Sequence, residues 1–381
     1  MKLPLEGIVV LEFCQFMAGP SAGLRLADLG ARVIKIERPN KGEGGRQIAI
    51  KNLFVDDSSL VFQTANRNKE SFAANLKDET DLGYVKKLIS KADVMTHNFR
   101  PGVMEKIGLN YLQVKEINSR IIYASITGYG TKGPWKDKPG QDLLLQSVSG
   151  LTYLTGKEKD PPTPMGLAVA DMYCGTHLVQ GIIAAIIRRN RTHLGCHVEV
   201  SLLESILDLQ FEVLTTYLNG GKSAPKRAKE NGAHVYLNAP YGIYKTSDGH
   251  IALAMGSLTK LARVLKFEQL EKLSPSFLKR KKIYRVLKSF FAAKTTQEWL
   301  AILEPEDIWC SDVYDYKKLL SHDGFCVLEF DQKVTLGNGE QVHTTRCPIK
   351  INDTKLFATK GAPRVGEHTQ KIMDEFKLAG L

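Results

Sequence analysis

The sequence predicts an α/β protein with a large open parallel sheet and a second, smaller α/β domain. In the first half, short apolar segments typical of buried strands alternate with amphipathic helical segments, as in successive βαβ units. After residue 235 the pattern changes to short strands followed by helices. The 381 residues are also too many for one ordinary core. The predicted strands of the first half are 7–13, 32–37, 71–76, 94–99, 120–126 and 198–201.

Helical patterns fill the intervals between these strands. Pro20 and Ser21 predict a helix that begins at residue 22, and Gly30 ends it. Further helices are predicted at 81–91, 103–107, 143–154, 175–189 and 202–218. In the second half, Asp248 and Gly249 lie between two short strands and predict a hairpin. Later elements are predicted as helices at 258–266, 276–293, 295–304 and 370–376, and as a strand at 325–330.

These elements suggest a division of the chain. We expect residues 1–221 to form the large domain and residues 233–322 to form the small one. The polar, basic and glycine-containing segment 222–232 reads as a linker between them. Residues 323–381 form a separate C-terminal segment.

The first βαβ unit does not carry a dinucleotide-binding signature. The loop 14–20 lacks the GxGxxG pattern that lets a pyrophosphate approach the backbone. Glu37 stands where a ribose-binding acid would stand, but Arg38 follows it directly. A basic residue there suits a phosphate better than a bare ribose, so nicotinamide binding is disfavoured.

The net charge of +11 favours an acidic partner, which could be nucleic acid, anionic lipid or a phosphorylated cofactor. The basic residues are scattered apart from 279–282, which reads as a solvated helix face. No nucleic-acid-binding module pattern is present. We therefore expect a small phosphorylated ligand, with no nucleic-acid and no membrane partner.

Cysteine spacing and the N-terminus bear on metals and location. The six cysteines form no CxxC pair and no zinc spacing, and the nearby His193, Cys196 and His197 offer too few converging ligands. No metal site is therefore expected. No run approaches the length of a membrane span, and Pro4 and Glu6 interrupt any signal-peptide core. A cytoplasmic protein with reduced cysteines is expected.

Polar or basic loops follow three of the predicted strands, at 37–39, 98–102 and 127–130. In open parallel sheets the ligand crevice lies at the carboxyl ends of the strands. Arg38, Arg100 and Lys106 could then face one anionic ligand, although each taken alone is more often a surface charge.

Asp171 lies between a turn-rich run, 157–164, and an apolar helical segment, among small and apolar neighbours. A carboxylate there costs free energy unless it is hydrogen-bonded or used. One interpretation is an Asp N-cap, which free N–H groups at the helix start would stabilise. The other is a carboxylate nucleophile, which forms acyl intermediates with activated substrates. This stretch alone leaves both open.

Across most of its length the chain resembles the class III CoA-transferases, the superfamily of formyl-CoA transferase, carnitine CoA-transferase and α-methylacyl-CoA racemase. The segments that carry the resemblance are 5–12, 18–20, 26–39, 66–69, 98–104, 121–130, Asp171, 239–241 and 361–369. The resemblance implies that the large domain is Rossmann-like and binds CoA, and that the C-terminal segment returns to it. It also implies an interlocked homodimer, in which each subunit threads through the other.

The resemblance implies acyl transfer by covalent catalysis, in which Asp171 attacks an acyl-CoA thioester and CoA passes to a carboxylic acid, with a dicarboxylate as the inferred acceptor. Coenzyme A is then a substrate, and no permanently bound cofactor is expected. The implied CoA-binding residues are Arg38, Asn98, Phe99, Arg100, Lys106 and Lys138. Backbone N–H groups around Gly256 would stabilise the oxyanion. Met17 stands where formyl-CoA transferases carry a substrate-contacting glutamine, and Gln15 is out of register, which disfavours formyl or oxalate specificity.

Two alternatives stay open. The racemase branch uses a His-Asp pair in a segment that aligns with 140–142, but here Gln141 replaces the histidine and cannot transfer protons at neutral pH. Transfer is therefore favoured over racemisation or epimerisation. The second alternative is a non-catalytic CoA- or nucleic-acid-binding protein, which tight, salt-dependent nucleic-acid binding would support.

Overall fold

The computed structural model describes residues 2–229, 232–273 and 277–379, and the chain divides into two compact units. The first unit contains Met1–Leu145, Leu167–Leu209 and Leu328–Leu381, and the second contains Gln146–Gly166 and Gln210–Val327. Residues 146–166 and 210–221 thus pack with the second unit, whereas the sequence analysis assigned them to the large domain. The predicted linker, 222–232, includes two residues outside the described ranges.

A six-stranded sheet forms the centre of the first unit. Its strands are β1 (Val9–Glu12), β2 (Arg32–Glu37), β3 (Glu70–Ala73), β4 (Val94–His97), β5 (Ile122–Thr127) and β6 (Cys196–Ser201). The spatial order is β3-β2-β1-β4-β5-β6, and all neighbours pair in parallel, with Leu11 beside Ile34 and Met95. The predicted α/β class with a parallel sheet is confirmed. Because the order reverses between β1 and β4, the ligand crevice is expected at their carboxyl ends.

Sixteen α-helices occur in the described residues. In chain order they are α1 (Ala18–Asp28), α2 (Leu60–Asn66), α3 (Glu79–Ile89), α4 (Val103–Lys106), α5 (Tyr111–Ile117), α6 (Asp142–Val148), α7 (Val169–Thr192), α8 (Leu202–Asp208), α9 (Phe211–Asn219), α10 (Leu258–Val264), α11 (Glu268–Glu271), α12 (Arg280–Phe291), α13 (Thr296–Leu303), α14 (Tyr316–Leu320), α15 (Asp323–Cys326) and α16 (Thr369–Glu375). Short 3₁₀ turns lie at Gly44–Gln47, Ile50–Asn52, Leu151–Tyr153 and Glu304–Glu306.

Several predicted helix bounds are wrong. Helix α1 begins at Ala18, four residues early, because Pro20 lies in the first turn, where its missing N–H costs nothing. The predicted helix 202–218 is two helices that break near Leu209, and the predicted helix 143–154 ends at Val148. The predicted strand 325–330 is also wrong, since α15 ends at Cys326 and the next strand begins at Asp331.

Helix α7 has 24 residues and is longer than the predicted 175–189. By length and composition alone it could cross a membrane, although the sequence analysis found no run of that length. Core helices of soluble proteins pass the same test, and 44% of its most apolar window is buried in the structure. It packs against α1, β5 and β6, so it is a core helix of the first unit.

The opposite face of the sheet carries a second apolar layer. Residues from β1, β2 and β4, such as Leu11, Ile34 and Met95, pack there with α3, α5 and α16. Two strands of the C-terminal segment, β10 (Asp331–Thr335) and β11 (Gln341–Thr345), form a hairpin in the same unit. Two-residue strands pair Phe54–Val55 with Ser58–Ser59, and Lys350–Ile351 with Thr354–Lys355.

The second unit has a three-stranded antiparallel sheet. Its strands are β7 (Gly242–Lys245), β8 (His250–Leu253) and β9 (Cys310–Asp312), in the order β9-β8-β7. The predicted hairpin is confirmed, because β7 pairs with β8 around Asp248 and Gly249. Helices α10, α12 and α13 pack on this sheet through Leu261, Leu287 and Trp299. Residue 276, the start of a predicted helix, lies outside the described residues, and α12 begins at Arg280.

Candidate active site

Asp171 lies in the first turn of α7, at the third helical position. The N-cap residue is Ala168, so the interpretation of Asp171 as the N-cap is wrong. The capping group comes from α6, because Oδ1 of Asp142 accepts the backbone N–H of Ala170 at 2.7 Å and that of Asp171 at 3.2 Å. Asp142 therefore caps α7, and the Asp171 carboxylate is not needed for capping.

The surroundings of Asp171 favour its neutral form. Burial raises the pKa of this carboxyl group from its ordinary value to about 7, and the nearby charge of Asp142 adds to the effect. A carboxylate that titrates near neutral pH is more basic than an ordinary aspartate. Such strongly shifted groups in a crevice are candidates for catalytic residues.

Close packing of α1 against α7 fixes where Asp171 lies. A Cβ atom on Gly175 would lie 2.7 Å from the carbonyl oxygen of Ala18 and would also overlap Ser21, so only glycine allows this approach. Both helices begin at the carboxyl edge of the sheet, because each leaves that edge and precedes a parallel strand. Asp171 is one turn before Gly175, so we infer from this packing that it lies toward the residues that precede Ala18, which include Phe16 and Met17.

The loop between β1 and α1 is held from two sides. The Asn98 side chain accepts the backbone N–H of Gln15 at 2.8 Å and donates to the carbonyl of Gln15 at 2.7 Å. The next residue, Phe16, donates its backbone N–H to Oε2 of Glu43 at 3.0 Å. Asn98, predicted as a CoA contact, thus positions the loop in which the predicted substrate residues Gln15 and Met17 lie.

Three of the predicted phosphate-binding cations lie at strand ends of the first unit. Arg38 follows β2, and Arg100 and Lys106 follow β4. All three are exposed, and their side chains make no hydrogen bond or ion pair with the described residues. They are therefore available to an anionic ligand at this edge of the sheet.

The other predicted CoA contacts have neighbours of their own. Phe99 is half-buried, and its ring stacks on His97 with 6.3 Å between centroids. Lys138 is exposed, with its Nζ atom 5.8 Å from the centroid of the Trp135 ring. Gln141, which replaces the racemase histidine, is exposed just before α6.

A buried ion network lies beneath the loop, and sequence reasoning missed it. Glu12, at the end of β1, is fully buried and contacts two lysines: Nζ of Lys35 at 3.1 Å and Nζ of Lys69 at 2.9 Å. Lys35 also lies 3.5 Å from Glu43. The available signal was the charged residues Glu12 and Lys35 inside otherwise apolar strands, which buried strands tolerate only when the charges are paired.

Glu37, the candidate ribose acid, is occupied by internal partners. Arg46 donates to it at 2.6 and 3.0 Å, and Ser71 donates at 2.7 Å. Burial opposes ionisation, but the hydrogen bonds and charge of Arg46 hold the pKa of Glu37 below its usual range. The carboxylate has no free face for a ribose, which agrees with the sequence argument against nicotinamide binding.

Gly256 belongs to the second unit, where it follows β8. It lines a cavity of about 250 Å³ together with Met255, Lys260, Asp307 and Trp309. A Cβ atom at Gly256 would meet nothing within 4 Å, so the backbone there is open to an approaching group.

The histidines and cysteine that could suggest a metal are used otherwise. His193 ends α7 in a left-handed conformation, and Ser125 lies 2.8 Å from the Nε2 atom of His197. Within the described ranges, no group of three or more His, Cys, Asp and Glu side chains could hold a metal ion.

The parallel α/β sheet thus has a carboxylate, Asp171, and three cations without partners among the described residues at its carboxyl edge, where α/β enzymes bind their ligands. A family model described as CoA-transferase family III matches residues 5–369, so the chain belongs to that family. The resemblance found in the sequence is confirmed, and the protein is a CoA-transferase that uses CoA thioesters as substrates.

Individual relatives extend over nearly the whole chain. A mouse (Mus musculus) succinyl-CoA:glutarate CoA-transferase is 33% identical over 98% of this chain and 86% of its own length. A succinate–glutarate CoA-transferase of Agrobacterium fabrum is 30% identical over 99% of this chain and 96% of its own. Among solved structures, a CaiB/BaiF family protein from Brucella suis superimposes with a TM-score of 0.85 at 29% identity, covering 99% of this chain and 100% of the other.

Proposed function

We propose that the enzyme moves CoA from an acyl-CoA donor to a carboxylic acid through a covalent intermediate on Asp171. One observation carries the proposal. The Asp171 carboxylate lies at the carboxyl edge of the sheet, it is relieved of helix capping by Asp142, and burial raises its pKa to about 7. A thioester is activated enough for such a weak nucleophile, and two easier steps replace one difficult step.

The steps balance without an additional reactant. An Asp171 oxygen attacks the thioester carbonyl, the C–S bond breaks, and a mixed anhydride and CoA thiolate form. The thiolate then attacks the carbonyl of Asp171, which releases the donor acid and leaves an aspartyl-CoA thioester. The acceptor carboxylate attacks that thioester, which forms a second mixed anhydride and frees the thiolate. The thiolate then attacks the acceptor carbonyl of this anhydride, which gives acceptor-CoA and releases the Asp171 carboxylate.

The acceptor is proposed to be a dicarboxylic acid. The two relatives described above are named for succinyl and glutarate groups, which are dicarboxylic. The net charge of +11 and the unpaired cations at the strand ends suit a doubly charged acceptor as well as the CoA phosphates.

The test is a chemical trap. The enzyme is incubated with succinyl-CoA, glutaryl-CoA or acetyl-CoA, quenched with hydroxylamine, digested and mapped by mass spectrometry. A hydroxamate on Asp171 is the expected result. Solvent deuterium at the acyl α-carbon with no hydroxamate would instead indicate racemisation, and neither signal with any donor would contradict the proposal.

Arg38 is proposed to contact a phosphate of CoA, because it follows β2 and has no partner among the described residues. Replacing Arg38 by alanine should raise the dissociation constant for CoA about tenfold or more, since a hydrogen bond to a charged group contributes about 1.5–3 kcal/mol. Calorimetric titration measures this dissociation constant, and Lys333→Ala, which removes an exposed lysine, is the control. Equal affinities for the variant and the control would remove Arg38 from the site.

Asp142 should set the pH dependence of the acylation step. The nucleophile is the ionised form, so the single-turnover rate should rise with pH and level off above the Asp171 pKa of about 7. Burial is the larger cause of this raised pKa, and the charge of Asp142 adds to it. Asp142→Asn removes that charge and keeps an oxygen to accept the two N–H groups, so the midpoint should move part of the way to lower pH. The exposed Asp331→Asn should leave the midpoint in place. An unchanged midpoint in Asp142→Asn would show that Asp142 does not tune Asp171.

We also propose a homodimer, interlocked as the family resemblance implies. Helix α9 has no buried residue, and Phe211, Leu214 and Leu218 are exposed on it at helical spacing. Sedimentation velocity measures the mass of the species in solution. A 42.4 kDa species at micromolar protein concentration would contradict the dimer.

A further inference from the structure

Phe16 presents an apolar ring at the carboxyl edge of the sheet in a backbone conformation that costs free energy. Its side chain is 49% exposed, and its φ angle is +67°, in the left-handed region that bulky residues avoid. Such strain persists only where the surroundings impose it, and it concentrates at functional sites. The neighbouring residues show what imposes it.

Glu43 holds the strained residue. One carboxylate oxygen, Oε2, accepts the N–H of Phe16 at 3.0 Å and the N–H of Gly45 at 2.7 Å. The other oxygen lies 3.5 Å from Nζ of Lys35. Glu43 is only 3% exposed, so these bonds are protected from water and tie the loop to the buried ion network.

The orientation of the ring is fixed as well. A Cβ atom on Gly44 would lie 2.9 Å from Cε1 and 3.0 Å from Cζ of Phe16, so the ring rests directly on the Gly44 backbone. Asn98 clamps the preceding residue, Gln15, through two hydrogen bonds. These contacts hold the backbone before Phe16 and place its ring against Gly44.

Phe16 and the reacting group lie at the same edge of the sheet, because Phe16 follows β1 and Asp171 lies in the first turn of α7. From the close approach of Gly175 to Ala18 we infer that Asp171, one turn earlier on α7, lies toward the segment before Ala18, which contains Phe16 and Met17. We propose that Phe16 determines acyl specificity by forming one side of the acyl pocket, and that Glu43 is the positioning residue that holds it there. The inference rests on the proposed covalent chemistry at Asp171. A rigid ring at this position favours short acyl groups and excludes long ones.

The first experiment removes the ring without straining the backbone. Phe16→Gly suits a positive φ, so the fold should be kept. The ratio of kcat/KM for octanoyl-CoA to that for succinyl-CoA should rise about tenfold or more, since each methylene in a pocket is worth roughly 10- to 200-fold. Phe357→Ala, which removes an exposed ring elsewhere in the first unit, should leave the ratio unchanged.

The second experiment tests whether Glu43 holds the Phe16 ring in place or only stabilises the fold. Glu43→Ala should change the acyl-CoA ratio in the same direction as Phe16→Gly, because the ring loses its anchor. Glu43→Gln keeps an oxygen for the two N–H groups and should restore the wild-type ratio even if it unfolds more easily. The double variant Phe16→Gly with Glu43→Ala should show no further change, as expected when two residues act as one unit.

The outcomes distinguish this inference from the proposal on which it rests. If Phe16→Gly forms the Asp171 adduct but keeps the wild-type acyl ratio, the specificity role is wrong and the covalent chemistry stands. If Glu43→Ala lowers activity equally for both donors, Glu43 is structural only. If the wild-type enzyme forms no adduct on Asp171 with any donor, the proposed function itself has failed.

Discussion

Replacing Asp171 by asparagine is expected to lower CoA transfer by about ten-thousand-fold or more while leaving CoA binding intact. The amide has nearly the shape of the carboxylate but cannot attack a thioester, and removal of a covalent nucleophile typically costs about 10⁴- to 10⁶-fold. Transfer is measured by chromatography of the acyl-CoA products, and binding by calorimetry with CoA.

The same variant should be more stable than the wild type at alkaline pH. The Asp171 pKa is about 7 in the fold and about 3.8 in the unfolded chain, so the folded state favours the neutral form. The neutral Asp171 carboxyl group therefore contributes about 2–4 kcal/mol to the free energy of unfolding below pH 4. This contribution is lost as the pH rises through 7. Asparagine never ionises, so Asp171→Asn should gain this amount over the wild type at pH 8 in urea unfolding.

Two results would contradict this account of Asp171. Full transferase activity in Asp171→Asn would remove the nucleophile assignment. Equal stability differences between variant and wild type at pH 4 and pH 8 would show that the carboxyl group titrates as an ordinary exposed aspartate. Loss of CoA binding together with activity would indicate a misfolded variant, which far-ultraviolet circular dichroism detects directly.

Glu12→Gln is expected to destabilise the protein by about 3–5 kcal/mol, which is a large part of the stability of a typical domain. Glu12 is the shared partner of Lys35 and Lys69, so its loss leaves buried positive charge without compensation. The free energy of unfolding in urea measures the effect.

An exposed pair provides the matched comparison for Glu12. Glu375 pairs with Arg32 at the surface, and Glu375→Gln should cost less than about 1 kcal/mol. If Glu12→Gln costs no more than Glu375→Gln, the network contributes little to stability.

The strands of the large sheet could be predicted from the sequence because each is a short apolar run between turn residues. The start of α1 could not, because Gly19 and Pro20 are loop residues in most contexts and are helical here only within a first turn. The start of α7 was missed for a different reason. Its capping group is Asp142, 28 residues before the first N–H it accepts, and no local pattern shows such a partner.

For the site, the order of the strands pointed to Arg38, Arg100 and Lys106, and the family resemblance pointed to Asp171 as the nucleophile, whereas local pattern left the role of Asp171 open. The residues that position the site stayed hidden because their roles depend on tertiary contacts. Glu43 reads as part of a flexible, charged loop, yet in the fold it is buried and accepts two backbone N–H groups. Asn98 reads as a ligand contact, yet in the fold it clamps the backbone of Gln15.

The pairing of Glu37 with Arg46 limits which cofactors this sheet could be engineered to bind. Its strand order is the one that nicotinamide-dependent dehydrogenases use, and a carboxylate stands at the end of β2 as it does in them. A ribose, however, would have to compete with an internal guanidinium, a serine hydroxyl and a backbone N–H for the same two oxygens. Single substitutions in the Gly-poor loop 14–20 would therefore not create a dinucleotide site. An engineered dinucleotide site would also require the removal of Arg46, but this change alone would leave Glu37 buried without its cation. The loop substitutions and the removal of Arg46 would therefore have to be made together, so that the ribose replaces the lost partner of Glu37.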